Sequence, residues 1–169
     1  TKGLWLVFDK GAKRVLSYSA IVDELLCVGW IDSRPGKVSA TRSKLWIAPR
    51  NPRSRWSALN KQKAEQLLRN GRMQNAGKRV IEHAKKTGLW RALDAVSALK
   101  MPDDLLVSLN QNIKAKQYFE AFPPSTKKAI LEWILSAKKP ETRAARIAQT
   151  VQQAFHNIRA NQYRQPKGR

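Results

Sequence analysis

The sequence predicts an α+β fold: a small N-terminal mixed sheet with one helix, followed by a mainly helical C-terminal two-thirds. Three observations predict it. Short apolar runs rich in aromatic and β-branched residues, the mark of strands, lie before Pro52. Beyond Pro52, apolar residues recur at the 3–4 spacing of amphipathic helices almost to the end. The 169 residues are 42% apolar, enough to bury a core without disulfides or metals, and no apolar run approaches the ~18 residues of a membrane span.

The elements follow in order. Residues 4–8 (Leu-Trp-Leu-Val-Phe) read as a buried strand, and residues 9–14 as a turn. Ser17 or Ser19 can cap a helix carrying Ile21, Val22, Leu25 and Leu26, which Gly29 stops. Residues 30–33 form a strand leading into a turn at Arg34-Pro35-Gly36-Lys37, because Pro sets φ at one corner and Gly accepts φ > 0 at the next. Residues 44–48 return as a strand that Pro49 ends.

A helix spans about 57–69, with Leu67 and Leu68 inward and Gly71 at its end, and Asn75 can cap a second that runs toward Gly88. Leu89, Trp90 and Leu93 suggest a third, short one. Pro102-Asp103-Asp104 opens a fourth, its acids matched to the positive helix N-terminus. Residues 114–122 carry Tyr118, Phe119 and Phe122, and Ser125 can cap the next helix. Pro140-Glu141 starts the longest, whose stripe is Ala144, Ile147, Ala148, Val151, Phe155 and Ile158. Residues 1–56 thus form a small α/β part, 57–161 a helical part packed on it in a single compact domain, and 162–169 a loose basic tail.

Charge is the strongest compositional signal: 33 Lys and Arg against 12 acids, a formal net charge of +21. The single Cys27 excludes an internal disulfide and a Cys-rich zinc site, and two histidines leave little for a His-based metal site. No signal peptide is visible, and the composition points to a reducing, cytoplasmic location. No GxGxxG, P-loop, HExxH or GxSxG occurs, and no cofactor or metal is expected.

Nine Lys and Arg and no acid lie between Ser33 and Ala64, with Trp46 and Trp56 among them. Arginine can fork onto phosphate or carboxylate and an indole can stack on a base, so the stretch reads as an anion site. The site would hold Trp30, Asp32, Arg50, Arg53, Ser54, Trp56, Ser57 and Asn60. Pro49 and Pro52 restrict the turn bearing the two arginines, and free N–H groups near Ser57 favour an anion. Asp32 would orient one arginine. The alternative is a solvated basic surface with the tryptophans in the core. Cys27 reads as a buried small hydrophobe, His83 and His156 as surface residues.

These residues carry a family resemblance. Gly3-Leu4-Trp5-Leu6-Val7-Phe8-Asp9-Lys10, Leu26-Cys27-Val28-Gly29-Trp30-Ile31-Asp32 and Pro52-Arg53-Ser54-Arg55-Trp56-Ser57-Ala58-Leu59-Asn60 resemble segments of the bacterial YdeI/OmpD-associated family, the bacteriocin-protection proteins. So do Gly71-Arg72-Met73, Pro102-Asp103-Asp104-Leu105 and Ala137-Lys138-Lys139-Pro140-Glu141-Thr142-Arg143-Ala144-Ala145-Arg146-Ile147, which extends the likeness over nearly the whole chain. The resemblance implies a bacterial protein linked to tolerance of bacteriocins or envelope stress. It implies no particular reaction.

Two functional readings follow. One is a basic binding module for an anionic ligand: phosphate, carboxylate, a nucleic-acid backbone or an acidic protein partner. The charge is spread evenly, which allows non-specific nucleic-acid affinity. The other is a small enzyme with an Asp32/arginine cleft, where arginines stabilise developing negative charge but no general base suited to neutral pH is evident. Asp32 beside Arg50 or Arg53 in a pocket would favour the enzyme or a small ligand, and a broad, convex basic surface would favour nucleic acid.

Overall fold

In the computed structural model, residues 2–11, 15–162 and 165 are described. The chain divides into two units, Thr1–Leu93 and Asp94–Arg169. The helices of residues 58–86 therefore belong with the sheet, whereas the sequence pattern groups them with the later helices. Residues 12–14 of the expected turn at 9–14 and most of the tail 162–169 lie outside the described residues.

The first unit contains β1 (Leu4–Asp9), α1 (Tyr18–Cys27), β2 (Trp30–Lys37), β3 (Arg42–Pro49), α2 (Ala58–Arg69) and α3 (Asn75–Lys86). The strands form one sheet in the order β1-β3-β2 with both pairings antiparallel, so the mixed sheet expected from sequence is an antiparallel one. The expected turn at Pro35-Gly36 is also corrected. β2 runs through both residues, with a register shift between Asp32 and Pro35. A bulge tolerates Pro, which has no N–H for the ladder. The chain reverses instead after Val38, where the Ser39 hydroxyl accepts the amides of Thr41 and Arg42 at 3.2 and 3.0 Å.

Ser17 caps α1 by accepting the Ala20 amide, and Gly29 follows the helix at φ 75°. The paired apolar residues of α1 serve two cores. Ile21 and Leu25 pack with Leu45 and Ile47 of the sheet, joined by half-buried Leu6, Phe8 and Trp30. Val22 and Leu26 pack with Ala64, Leu67, Ile81 and Ala84, together with Trp56 and Trp90. A helix apolar on two sides is a central one. β1 is not the buried strand expected: Trp5 is 40% and Val7 47% exposed. It pairs with β3 alone and is an edge strand, and its continuous apolar run conceals an uncovered face.

Ser57 caps α2, accepting the Asn60 amide. α3 begins at Asn75 with Gln74 as its cap and no side-chain cap bond, so Asn75 is its first residue and not its cap. Trp90 and Leu93 are buried in a turn segment that precedes a short helix.

The second unit is helical: α4 (Asp94–Ser97), α5 (Asp103–Asn110), α6 (Ile113–Ala121), α7 (Pro124–Leu135) and α8 (Pro140–Phe155). α8 packs against α5, α6 and α7. Pro123 caps α7 and Pro124 opens it, which places Ser125 inside the helix. A proline at the first position lacks only an N–H that would be unpaired there. The buried face of α8 is Ile147, Thr150 and Ala154. Of the expected stripe, Ala144 and Ala148 are exposed, and Thr150 takes a core position instead, its hydroxyl satisfied by donating to the Arg146 carbonyl at 2.8 Å.

Candidate anion-binding site

Arg50, directly after β3, is 7% exposed. Its amide donates to the Gly29 carbonyl at 2.9 Å, tying it to the α1–β2 junction. Its guanidinium lies 4.0 Å from the Trp56 ring centroid and donates through Nη2 to the Arg55 carbonyl at 2.7 Å. Nε is buried without a hydrogen-bond partner. Burial pushes the guanidinium pKa down to about 10, since desolvation disfavours the charged form. Among the described residues no carboxylate pairs with it.

Arg50 lines a cavity of about 370 Å³. Trp30, Pro49 and Pro52 supply one apolar wall, and α3 supplies another through Ala76, Arg79, Val80 and His83. These four recur at i, i+3, i+4 and i+7, so one helix face looks into the space. Val28 and Gly29 complete the lining, and none of the lining residues is acidic. Gly29 lets α3 come close: a Cβ there would stand 2.9 Å from Cγ2 of Val80.

The expected constellation is therefore only partly assembled. Trp30 and Arg50 line the cavity; the other six expected residues are not in its wall. Trp56 is 2% exposed and packs on Trp90 with ring centroids 4.8 Å apart, so it supports Arg50 from within the core. Asp32 does not orient an arginine among the described residues: the Tyr18 hydroxyl donates to its Oδ2 at 2.6 Å. That bond pushes the Tyr18 pKa up to about 12. Arg53 is exposed, and its amide donates to Oδ1 of Asn51 at 2.8 Å. Ser54 donates its hydroxyl to the Asn51 carbonyl at 2.5 Å. Ser57 and Asn60 are joined by the cap of α2.

Arg79 and His83 were missed by sequence reasoning. The signal was their helical spacing from Ala76, hidden because Val80, Ile81 and Ala84 dominate the apolar pattern of that helix. Arg55 was read only as part of the basic stretch, yet its Nη1 is buried and unpartnered. Cys27 is buried and burial pushes its thiol pKa up, in line with its reading as a core residue. No group of His, Cys, Asp and Glu among the described residues could hold a metal ion. No helix among them is long and apolar enough to cross a membrane.

Two family profiles match the chain. Residues 1–80 match one described as a domain of unknown function, and residues 98–157 match one described as "Bacteriocin-protection, YdeI or OmpD-Associated". No curated protein and no solved structure matches. The likeness to the bacteriocin-protection proteins, which the sequence extended over nearly the whole chain, is thus carried by the C-terminal motifs. The motifs of residues 3–10, 26–32 and 52–60 fall under the other description. Pro102-Asp103-Asp104-Leu105 and residues 137–147 lie inside the second match, so over residues 98–157 the chain matches the family described as bacteriocin-protection, YdeI or OmpD-associated.

Proposed function

We propose that the first unit is a binding module for a small anionic ligand, a phosphate monoester or a free carboxylate carried on an apolar or aromatic group, held in the cavity beside Arg50. The observation that carries this reading is Arg50: the residue lines an acid-free cavity, and its buried guanidinium has no carboxylate partner and an unbonded Nε. A buried cation without a counter-ion is costly, and an anion arriving there offsets that cost. Arg79 and His83 add positive and hydrogen-bonding groups from α3, and Trp30 offers a ring to the apolar part of the ligand.

The enzyme reading is weaker. Its carboxylate, Asp32, is engaged by Tyr18 and lies outside the cavity wall. The description matched by residues 98–157 supports a link with bacteriocin tolerance as part of this reading. At a net charge of +21, direct capture of cationic peptides is disfavoured by repulsion. An acidic protein partner or an anionic metabolite in the cytoplasm suits the charge better.

The test is a thermal-shift screen of inorganic phosphate, nucleoside monophosphates and aromatic carboxylates against their uncharged counterparts. A ligand at 100 times its Kd stabilises by about 2.7 kcal/mol. Arg79→Ala is expected to weaken it by about 1.5–3 kcal/mol, the worth of a hydrogen bond to a charged group, and Lys128→Ala in the second unit to leave it unchanged. Equal losses in the two variants, or equal stabilisation by uncharged counterparts, would remove the site.

A further inference from the structure

α1 covers one face of the sheet. The opposite face gathers aromatic and cationic side chains. Trp5 of β1 and Trp46 of β3 are cross-strand partners with ring centroids 5.2 Å apart and planes inclined at 71°. A Cβ on Gly3 would stand 2.7 Å from Cε2 and Cζ2 of Trp46, so this indole rests on the bare Cα of Gly3. Lys44 Nζ lies 4.4 Å from the Trp5 ring centroid, and the Arg34 guanidinium 5.9 Å from that of Trp46. Val7 and Trp5 remain largely exposed. The acid at the margin, Asp9, pairs with Arg42 at 3.3 Å; Lys44 and Arg34 have no ion pair among the described residues.

We propose that this open sheet face binds single-stranded nucleic acid, with Trp5 and Trp46 stacking bases and Lys44 and Arg34 meeting phosphates. The argument rests on charge and shape and is independent of the Arg50 cavity. Two indoles fixed on a sheet present π-surfaces at little further entropic cost, because their strands already hold them. Cations stand over the rings and not in a separate patch, so base-binding and phosphate-binding groups alternate as they do along a single strand. A duplex hides its base faces and would meet only the cations. An anionic lipid surface would also meet tryptophan and lysine, but it would draw on the exposed apolar area and not on ring stacking.

The experiment is a fluorescence-anisotropy titration of the full chain. The probes are a short labelled oligothymidylate, an abasic phosphodiester of equal length, and a duplex. The oligothymidylate is expected to bind about 10-fold more tightly than the abasic strand. Trp5→Ala should lose about 5–10-fold toward the oligothymidylate and nothing toward the abasic strand, while Trp5→Phe keeps most of the affinity. Lys44→Ala should lower the salt slope by about one. Trp46→Ala risks the fold because its ring is packed on Gly3; exposed Trp5 keeps the test sound, with circular dichroism as the check. Equal affinity for the base-bearing and abasic strands would overturn the proposal. So would phosphatidylglycerol vesicles binding more tightly than the oligothymidylate and losing that binding with Trp5→Ala. Arg79→Ala should not affect strand binding, so failure here and failure of the cavity are told apart.

Discussion

Arg143 holds Asp104 with two parallel hydrogen bonds, Nε to Oδ2 at 2.6 Å and Nη2 to Oδ1 at 2.9 Å. The pair joins the first turn of α8 to the first turn of α5, and both residues lie in motifs of the family segment. The polar residues that distinguish those motifs thus hold two helices together. Arg146, one turn further on, donates to the Trp133 carbonyl at 2.5 Å and to the Ser136 hydroxyl at 2.8 Å, which ties α8 to the end of α7.

The Arg143 guanidinium holds the Asp104 carboxyl below the usual carboxylate range. A depressed folded-state pKa contributes stability that is present above the unfolded value of about 4 and lost as pH falls through the folded value. Both side chains are partly exposed, so Asp104→Asn is expected to cost about 1 kcal/mol at pH 7. The difference between Asp104→Asn and the unmodified chain should be constant above the unfolded carboxylate range and shrink as pH falls through the lowered folded value. Urea unfolding followed by Trp133 fluorescence, with the other five tryptophans replaced by phenylalanine, would measure it.

Arg50 and Arg53 are expected to separate sharply in stability. Arg50→Ala removes a buried stem, the stack on Trp56 and the bond to the Arg55 carbonyl, and should cost about 2–4 kcal/mol. Arg53→Ala should stay within about 0.5 kcal/mol, since its side chain is exposed. Arg50→Met should cost less than Arg50→Ala, because it fills the space while removing an unpaired charge. Chemical denaturation of the three variants decides this. Equal losses from Arg50→Ala and Arg53→Ala would refute the structural role of Arg50.

Gly77, within α3, faces the end of α1. A Cβ there would stand 2.5 Å from the Cys27 carbonyl oxygen and 2.7 Å from that of Leu26, and would also collide with Sδ of Met73. Alanine raises helix propensity by up to about 1 kcal/mol, yet Gly77→Ala is expected to destabilise by about 2–4 kcal/mol, because backbone must move to admit it. Gly71→Ala, with open space around it, would suffer only from its positive φ. Thermal unfolding of both variants gives the comparison.

Cys27 should resist thiol reagents in the folded chain. It is 3% exposed, and burial raises its pKa, so little thiolate is present and less is accessible. Reaction with an aromatic disulfide should be slow in buffer and become rapid in urea through the unfolding transition. Fast reaction under native conditions would contradict the packing of α1 on α2 and α3.

Much of the fold was legible because its signals are local. Helix ends follow from single residues: Ser17 and Ser57 each offer a hydroxyl to an amide three residues on, and Gly29 accepts the positive φ that ends α1. The amphipathic stripes of α1 and α2 need only periodicity. Where local signals competed, tertiary context decided. Pro35-Gly36 carries strong turn chemistry, but pairing with Leu45 and Lys44 keeps both residues in the strand. The run of residues 4–8 could not reveal that only one of its faces would be covered, because apolar content does not record whether a second layer packs on each side of the sheet.

The site divides along the same line. The sequence alone determined that the chain is strongly basic, that its single cysteine allows no internal disulfide, that Arg50 lies at a proline-restricted strand end, and that residues near 102–105 and 137–147 carry a family pattern. Only the tertiary structure decided that Arg50 is buried over Trp56 while Arg53 faces solvent, that Asp32 serves Tyr18, and that Arg79 and His83 share the cavity. It also decided that Trp5 meets Trp46 on an open sheet face. The physical reason is that charge and capping act within a few residues, whereas burial and facing depend on pairings between strands and helices tens of residues apart.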